Sequence, residues 1–308
     1  KKYKTQQVSG VSVVASLKAE LDFGLLKKCI QLEYERYGCM RIRFTKRDKN
    51  GDVKQYLTEK ETRDIPLKDL SGMHMEEADN LMQQWAYETF DGDDIPLCDI
   101  VMVKLPDGYN GFFIHMDHRL IDSCGLVVMI NDLMQLYTHY KFNTPYPQKL
   151  ADFEEVLVKD LNRANNEKRF AKDKKFWDDQ LDAWGEPLYS DIQGSDVLEA
   201  SRKLHKNKTL RAADIELDQL FVAVKDYQLE PEPTKNLIDF CMNHQLSMTN
   251  LLLLGIRTYL SKMNHGQEDI TIENFISRRS THDEWTSGGS RTIMLSLIHI
   301  SEPTRRSY

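Results

Sequence analysis

The sequence predicts an α/β (α+β) protein with two lobes, the second of them incomplete. Hydrophobic patterns of period two alternate with patterns of period 3.6 along the first half, and the same alternation begins again after a long, charged helical segment. A chain of 308 residues has room for about two domains. We expect a first lobe over 1–185 that ends in a helical connector, and a partial second lobe over 186–294.

The first lobe begins with a strand pattern at 11–17. Asp22 is a candidate N-cap for the first helix, which is predicted to end at Gly38. Asn50-Gly51 predicts a hairpin turn, and Pro106-Asp107-Gly108 predicts a turn between two further strands. The remaining strand patterns of this lobe are 40–44, 53–57, 100–105 and 111–116, and its remaining helix patterns are 75–90 and 126–140.

The connector and the second lobe continue these patterns. Residues 149–184 are charged and helical, with an apolar face that includes Phe153 and Val156. Ser247 is a candidate start for one helix of the second lobe. The elements predicted for this lobe are a strand at 217–224, helices at 234–244 and 248–263, and a strand at 270–275.

Composition excludes several classes of function. The net charge is −7 and the pI is about 5.8, which does not suit binding to nucleic acid or to an anionic membrane. No apolar run approaches the roughly 20 residues that span a bilayer, and no leader pattern is present. The five cysteines include no C-x-x-C and no cluster with histidine at zinc spacing, so we predict free thiols, a cytoplasmic location and no metal.

One histidine stands out by its context. The spacing His-x-x-x-Asp occurs at His118/Asp122 and again at His265/Asp269, and chance alone is expected to produce about one such pair. His265 lies in a polar turn, whereas His118 lies between an apolar strand and an apolar helix, in a junction that we expect to be buried. Two interpretations follow: a core histidine beside a helix-capping Asp122, or a general base that takes a proton during attack on a carbonyl.

Four blocks of sequence resemble motifs of one family. Residues 117–123 resemble the HHxxxDG motif of nonribosomal peptide synthetase condensation domains and of the wider chloramphenicol acetyltransferase-like acyltransferases. Residues 36–44 resemble the family's RHxxLRTxF, residues 150–153 its YxDY, and residues 267–280 a strand of its second lobe. The blocks keep the family's order and spacing, and the resemblance as a whole covers residues 8–294.

The resemblance implies a fold and a chemistry. The expected fold is a pair of chloramphenicol acetyltransferase-like lobes in a monomeric pseudo-dimer. The expected reaction transfers an acyl or peptidyl group from a thioester on a carrier protein's phosphopantetheine, or from coenzyme A, to an amine or hydroxyl acceptor, with no cofactor bound directly. The expected partners are carrier-protein domains and small-molecule donors and acceptors.

The resemblance also assigns residues. His118 matches the catalytic histidine, as general base or positioning residue, at a solvent tunnel between the lobes. Asp122 matches an aspartate that pairs with an arginine, and Arg41 holds that arginine's place. Asp117 replaces the first histidine of the motif and Ser123 replaces its glycine. Asp117, Ser123 and Gly125 are therefore candidate residues of the substrate channel.

The two departures leave other functions open. A degenerate module that binds carrier proteins without chemistry is one alternative, and an acyltransferase that uses free acyl-coenzyme A is another. Gly288-Gly289-Ser290 matches the family's strand-exchange latch. Residues 295–308 resemble the translation of a sequencing-library adapter, so we predict that they are an artefact and that the natural protein continues beyond Met294.

Overall fold

The computed structural model describes residues 10–59, 62–184, 192, 195–210, 227–267, 270 and 272–296. The chain divides into two compact units: Lys1–Phe170 with Ser277–Thr292, and Ala171–Ile276 with Ile293–Tyr308. Residues 277–292 thus group with the first unit, and the lobe boundary expected at residue 185 stays a prediction. The predicted α/β class is confirmed by the mixture of helices and sheets.

A four-stranded sheet forms the centre of the first unit. Its order is β1-β6-β5-β4, with β6 antiparallel to both neighbours and β4 parallel to β5. A separate antiparallel hairpin joins β2 and β3. All three residues of β4 are exposed and the strand is too short to show a period, so sequence analysis missed it. The strands are β1 (Gly10–Leu17), β2 (Ile42–Phe44), β3 (Gln55–Leu57), β4 (Leu67–Asp69), β5 (Cys98–Lys104) and β6 (Asn110–Asp117).

Helices cover both faces of this sheet. Ile114 of the central strand belongs to the main core, with residues of the first and third helices, whereas its neighbour Phe113 belongs to a second core with Met82 of the second helix. Successive side chains of a strand point to opposite faces, which explains why β6 is buried along nearly its whole length. The helices of the first unit are α1 (Phe23–Arg36), α2 (Met75–Ala86), α3 (Ser123–Phe142) and α4 (Phe153–Ala164). Helix α5 (Glu167–Trp184) begins in the first unit and continues in the second.

Most predicted elements are present, with shifted ends. The helix predicted to reach residue 90 ends at Ala86, and the connector is two helices, α4 and α5, rather than one. The strand predicted from residue 40 begins only at Ile42, because Gly38–Arg41 forms a 3₁₀ turn. The predicted hairpin turn is confirmed: Gly51 has φ +86°, and the Asp48 carboxylate accepts hydrogen bonds from two N–H groups in the turn.

In the part of the second unit that the structure describes, three further helices follow α5. Ser247 caps one of them, as predicted, by accepting a hydrogen bond from the N–H of Asn250. The strand predicted at 217–224 lies outside the described residues, as does most of the tail 295–308. Within the described ranges, no helix is both long and apolar enough to cross a bilayer. The remaining elements are α6 (Ser195–Leu204), α7 (Pro231–Asn243), α8 (Met248–Met263), β7 (Glu273–Ser277), α9 (His282–Thr286) and β8 (Thr292–Ser296).

Candidate active site

His118 lies on a short turn at the end of the central strand. β6 ends at Asp117 and α3 begins at Ser123, so residues 118–122 connect the two elements. Strands β1 and β5 flank β6 on both sides, and this pairing fixes where the turn leaves the sheet. His118 is thereby placed at the carboxyl end of the strand.

The side chain of His118 is exposed, while the residues around it are buried. The main-chain N–H of Leu120 donates to the carbonyl of Asp117 at 2.9 Å, which reverses the chain. Leu120 and Ile121 are buried in the core, and His118 and Arg119 are exposed. The prediction of a buried junction was therefore wrong for His118, because the tight turn directs the neighbouring residues inward instead. An exposed imidazole is accessible to a substrate.

Asp117 is buried and paired with Arg119. Its carboxylate accepts hydrogen bonds from the Arg119 main-chain N–H and Nε, both at 2.9 Å, and from Nη2 at 2.8 Å. The guanidinium of Arg119 in turn lies over the ring of Phe44, 4.4 Å from its centroid. The charge of Asp117 is thus compensated by a local ion pair rather than left in an open channel.

Asp122 is almost completely enclosed by hydrogen-bond donors. It caps α3 through Oδ1, which accepts from the N–H of Gly125 at 2.8 Å. Its Oδ2 accepts from Arg279 Nη1 at 2.7 Å, from the N–H of Arg291 at 2.8 Å, and from both the N–H and the hydroxyl of Thr292 at 2.9 Å. A carboxylate with all these partners and 1% exposure anchors the turn that carries His118.

These donors also determine the charge of Asp122. Burial alone would raise its pKa, but the hydrogen bonds from Arg279, from the N–H groups of Gly125 and Arg291, and from Thr292 outweigh burial and lower the pKa to about 2. Asp122 is therefore ionised near neutral pH. The five hydrogen bonds that Asp122 accepts hold its carboxylate inside the protein, as a structural role requires.

The predicted partner of Asp122 was wrong. We expected Arg41, but Arg41 Nη1 donates to the carbonyl of Thr58 at 2.6 Å, and the guanidinium that pairs with Asp122 belongs to Arg279. The reason is local: Arg41 ends the 3₁₀ turn before β2, and its main chain and side chain both bind Thr58, next to the partner strand β3. Arg41 therefore stabilises the β2–β3 hairpin.

Two glycines lie where Arg279 reaches Asp122: Gly125 leaves space beside the Arg279 guanidinium, and Gly289 leaves space for the ring of Phe153. Its side chain is 0% exposed, and Nη2 donates to the carbonyl of Gly289 at 2.9 Å. A Cβ on Gly289, where φ is +90°, would lie 2.3 Å from the ring of Phe153. A Cβ on Gly125 would lie 3.3 Å from Arg279 Nη2. Gly125, a candidate channel residue, is thus buried against this segment.

Ser123 is the remaining candidate channel residue. It is the first residue of α3 and its side chain is exposed, as is that of His118. Cys124 follows it and is half-buried. Of the three candidate channel residues, Ser123 alone presents an exposed side chain.

Sequence reasoning missed the groups that complete the Asp122 site. Arg279, Arg291 and Thr292 lie 157, 169 and 170 residues from Asp122 along the chain. The sequence holds two signals for these groups. Gly288-Gly289 indicates that this segment packs closely against another part of the chain, and Arg279 lies inside the block 267–280. Among the described residues, no group of three or more His, Cys, Asp or Glu side chains is arranged to hold a metal ion.

Comparison with known proteins identifies the family. The model of the condensation-domain family matches residues 1–295. Surfactin synthase subunit 1 of Bacillus subtilis (strain 168) is 22% identical over 284 residues, which are 90% of this chain and 7% of that protein.

Two solved structures show the same fold. The first condensation domain of the calcium-dependent antibiotic synthetase, in complex with a substrate analogue, matches with a TM-score of 0.72 at 16% identity, over 95% of this chain and 64% of that one. VibH, a nonribosomal peptide synthetase condensation enzyme, matches with a TM-score of 0.72 at 16% identity, over 97% and 64%. The chain therefore spans less than two thirds of the length of these structures.

The predicted resemblance is confirmed by these matches. The fold is the chloramphenicol acetyltransferase-like fold of condensation domains, while the pseudo-dimeric arrangement of the lobes stays a prediction. Since the family model covers all but the last residues of the sequence, the chain belongs to the condensation-domain family.

Proposed function

We propose that the chain transfers an acyl or peptidyl group from a carrier-protein phosphopantetheine thioester to an amine or hydroxyl acceptor, with His118 as the catalytic residue. Acyl transfer is the activity that membership of the condensation-domain family implies. The donor, the acceptor and the role of His118 are the parts proposed here.

The observation that carries the proposal is an exposed imidazole on a rigid turn. His118 is exposed, whereas Asp122, four residues later, is held by five hydrogen bonds from four residues. A positioned group that can reach the substrate and return to the same place is what general base catalysis requires. His115, on β6 just before the turn, is by contrast buried and bonded to Ser12 and the Glu88 carbonyl.

The reaction transfers one proton and exchanges one bond. The acceptor nitrogen or oxygen attacks the thioester carbonyl carbon, a C–N or C–O bond forms, and the C–S bond breaks. The proton lost by the acceptor passes to the imidazole of His118 and then to the departing thiolate. For a hydroxyl acceptor this proton transfer contributes about 10²–10⁴-fold to the rate.

An amine acceptor uses the histidine differently. Amines are mostly protonated near neutral pH, and the free amine is already a good nucleophile. His118 then orients the amine more than it deprotonates it. Loss of the imidazole is therefore expected to reduce transfer to amines less than transfer to hydroxyls.

The remaining partners follow from the same proposal. Carrier-protein domains deliver the donor, Ser123 lines the approach to His118, and the chain works as a monomer without a directly bound cofactor or metal. We place the reaction in the cytoplasm, because all five cysteines are free thiols.

The test compares two histidine variants. His118→Ala removes the proposed base, and His265→Ala is the matched control, because His265 begins the second His-x-x-x-Asp pattern and is exposed. Each variant and the unaltered chain are given the same acyl group on a carrier protein and on coenzyme A, with an amine or an alcohol as acceptor. We expect His118→Ala to lose about 10²–10⁴-fold in transfer to the alcohol, and His265→Ala to lose nothing.

The outcomes separate the candidate functions. Equal turnover of His118→Ala and the unaltered chain with every acceptor would remove His118 from the mechanism. Transfer from coenzyme A without transfer from the carrier protein would replace the proposed donor.

The second candidate is a module that binds carrier proteins without catalysis. It is favoured by one observation, that Asp117 stands where the family motif has a histidine and is fully occupied by Arg119. Binding of the carrier protein by the unaltered chain, with no transfer from any donor, would support this candidate against the transferase.

A further inference from the structure

The segment 277–292 is attached to the first unit at a second point, away from Asp122. Asp160, on α4, forms an ion pair with Arg291: its Oδ2 lies 2.8 Å from Nη1, and its Oδ1 accepts a hydrogen bond from Nη2 at 3.1 Å. The Arg291 side chain is 2% exposed and that of Asp160 is 18% exposed. This pair is largely removed from solvent, where screening of an ion pair is weak.

Arg291 joins this ion pair to the Asp122 site. Its guanidinium binds Asp160, while its own main-chain N–H donates to Asp122 Oδ2 at 2.8 Å. Its carbonyl also accepts from the N–H of Arg278 at 3.0 Å, and Arg278 precedes Arg279. The position of one side chain therefore fixes the main chain that supplies donors to Asp122.

A second carboxylate, that of Glu284, binds residues within the segment 277–292. Glu284 Oε1 lies 3.7 Å from Arg291 Nη2 and 3.6 Å from Arg163 Nη2, and Oε2 accepts from Ser280 and from the N–H of Thr281. Burial would raise the pKa of Glu284, but these hydrogen bonds and the charge of Arg291 lower it to about 2. Arg291 thus lies between two carboxylates, of which Asp160 is the closer.

We propose that Asp160 is a positioning residue for His118, and that it acts through Arg291 and Asp122. The expected effect of Asp160 on the rate of acyl transfer rests on the proposed function, whereas its effect on the position of His118 does not. Without the Asp160 carboxylate, the Arg291 guanidinium keeps only the longer contact with Glu284, the Arg291 N–H moves relative to Asp122, and the 118–122 turn loses its fixed position.

The first test measures the environment of His118 directly. The protein is labelled with ¹³C-histidine, and the ring signal of His118 is assigned by its absence in His118→Ala. Asp160→Asn is expected to shift or broaden that signal, because it removes the charge without changing the size of the side chain. Glu155→Gln, which neutralises an exposed carboxylate on the same helix, is the matched control and is expected to leave the signal unchanged.

The second test measures rate. Asp160→Asn is expected to lower kcat for the alcohol acceptor by about 10-fold to 100-fold with KM unchanged, since a small displacement of a reacting group is costly. Asp160→Glu keeps the charge and is expected to restore part of the loss. In the His118→Ala background, Asp160→Asn is expected to cause no further loss.

Two results would overturn the proposal. The first concerns the ring signal of His118: in folded Asp160→Asn and in folded Asp160→Glu, it has the same position and width as in the unaltered chain. The other is a loss of kcat from Asp160→Asn that is the same size with and without His118. Failure of the proposed function gives a different result, because His118→Ala would then transfer the acyl group as fast as the unaltered chain. The ring signal of His118 would still show whether Asp160 affects the position of His118.

Discussion

Asp122 shows how one carboxylate can organise residues from distant parts of the chain. Its oxygens accept from the helix that it caps and from three residues of the segment 277–292. The Arg279 guanidinium opposite it is 0% exposed and donates one further hydrogen bond, to Gly289. Such a pair contributes little net stability as a whole, but each partner depends on the other.

Removing either partner is therefore expected to be costly. Asp122→Ala and Arg279→Ala are each expected to lower the free energy of unfolding by about 3–5 kcal/mol, because a charge is left buried without its partner. Arg41→Ala is the control, since Arg41 is only partly buried and its guanidinium binds a neutral carbonyl. Guanidinium unfolding followed by circular dichroism measures all three, and an equal loss for Arg41→Ala and Arg279→Ala would contradict the assigned pairing.

The packing of α1 against α3 contains a buried acid between the two helices. Glu33, on α1, is 0% exposed. Burial, and next the negative charge of Asp132 on α3, hold the pKa of Glu33 well above its ordinary value. Asp132 itself is bound by Arg36 through two hydrogen bonds, at 2.7 and 2.8 Å. Glu33 therefore keeps its proton in the folded protein at pH values where the unfolded chain has lost it.

This raised pKa predicts a pH-dependent stability. The contribution of Glu33 is fully present below its ordinary pKa of 4.5 and is lost as the pH rises towards the folded value. Glu33→Gln cannot ionise, so its stability relative to the unaltered chain is expected to increase between pH 4 and pH 8. Urea unfolding at several pH values measures the difference. Glu20→Gln, at an exposed position, is expected to give no such trend, and a constant difference for Glu33→Gln would refute the assignment.

The two units of the molecule differ in how well their helices are covered. The apolar face of α3 is buried, with Met129, Leu133 and Leu136 at 0% exposure. On α7 and α8, by contrast, many large apolar side chains are more than a third exposed: Ile238, Phe240, Met242, Leu252, Leu254, Ile256, Tyr259 and Met263. Burial of apolar surface is the main source of helix stability in proteins, so α8 is expected to be held less firmly than α3.

Hydrogen exchange measures this difference. The amides of α8 are expected to exchange at least about tenfold faster than those of α3 under the same conditions, because poorly covered helices open at a lower free energy. Mass spectrometry of peptides from Met248–Met263 and Ser123–Phe142 gives both rates. Equal protection of the two helices would show that burial in this structure does not determine local stability.

The sequence by itself determined the class of fold, most of the helices and strands, and the family. These follow from local patterns: hydrophobic period, turn residues, and motifs within a few residues of each other. Four elements were not predicted: β4, α6, α9 and β8. Of these, β4, with three residues, and α9 and β8, with five each, carry too few residues for such a signal.

Tertiary structure alone decided the partner of Asp122, the exposure of His118 and the burial of Asp117. Arg41 and Arg279 are the same residue type, and nothing in either local sequence says which guanidinium reaches a carboxylate 81 or 157 residues away. That choice depends on the grouping of residues 277–292 with the first unit and on the space that Gly125 leaves beside Arg279. Contacts between distant residues are set by packing, because a buried charge must find whichever opposite charge the fold brings beside it.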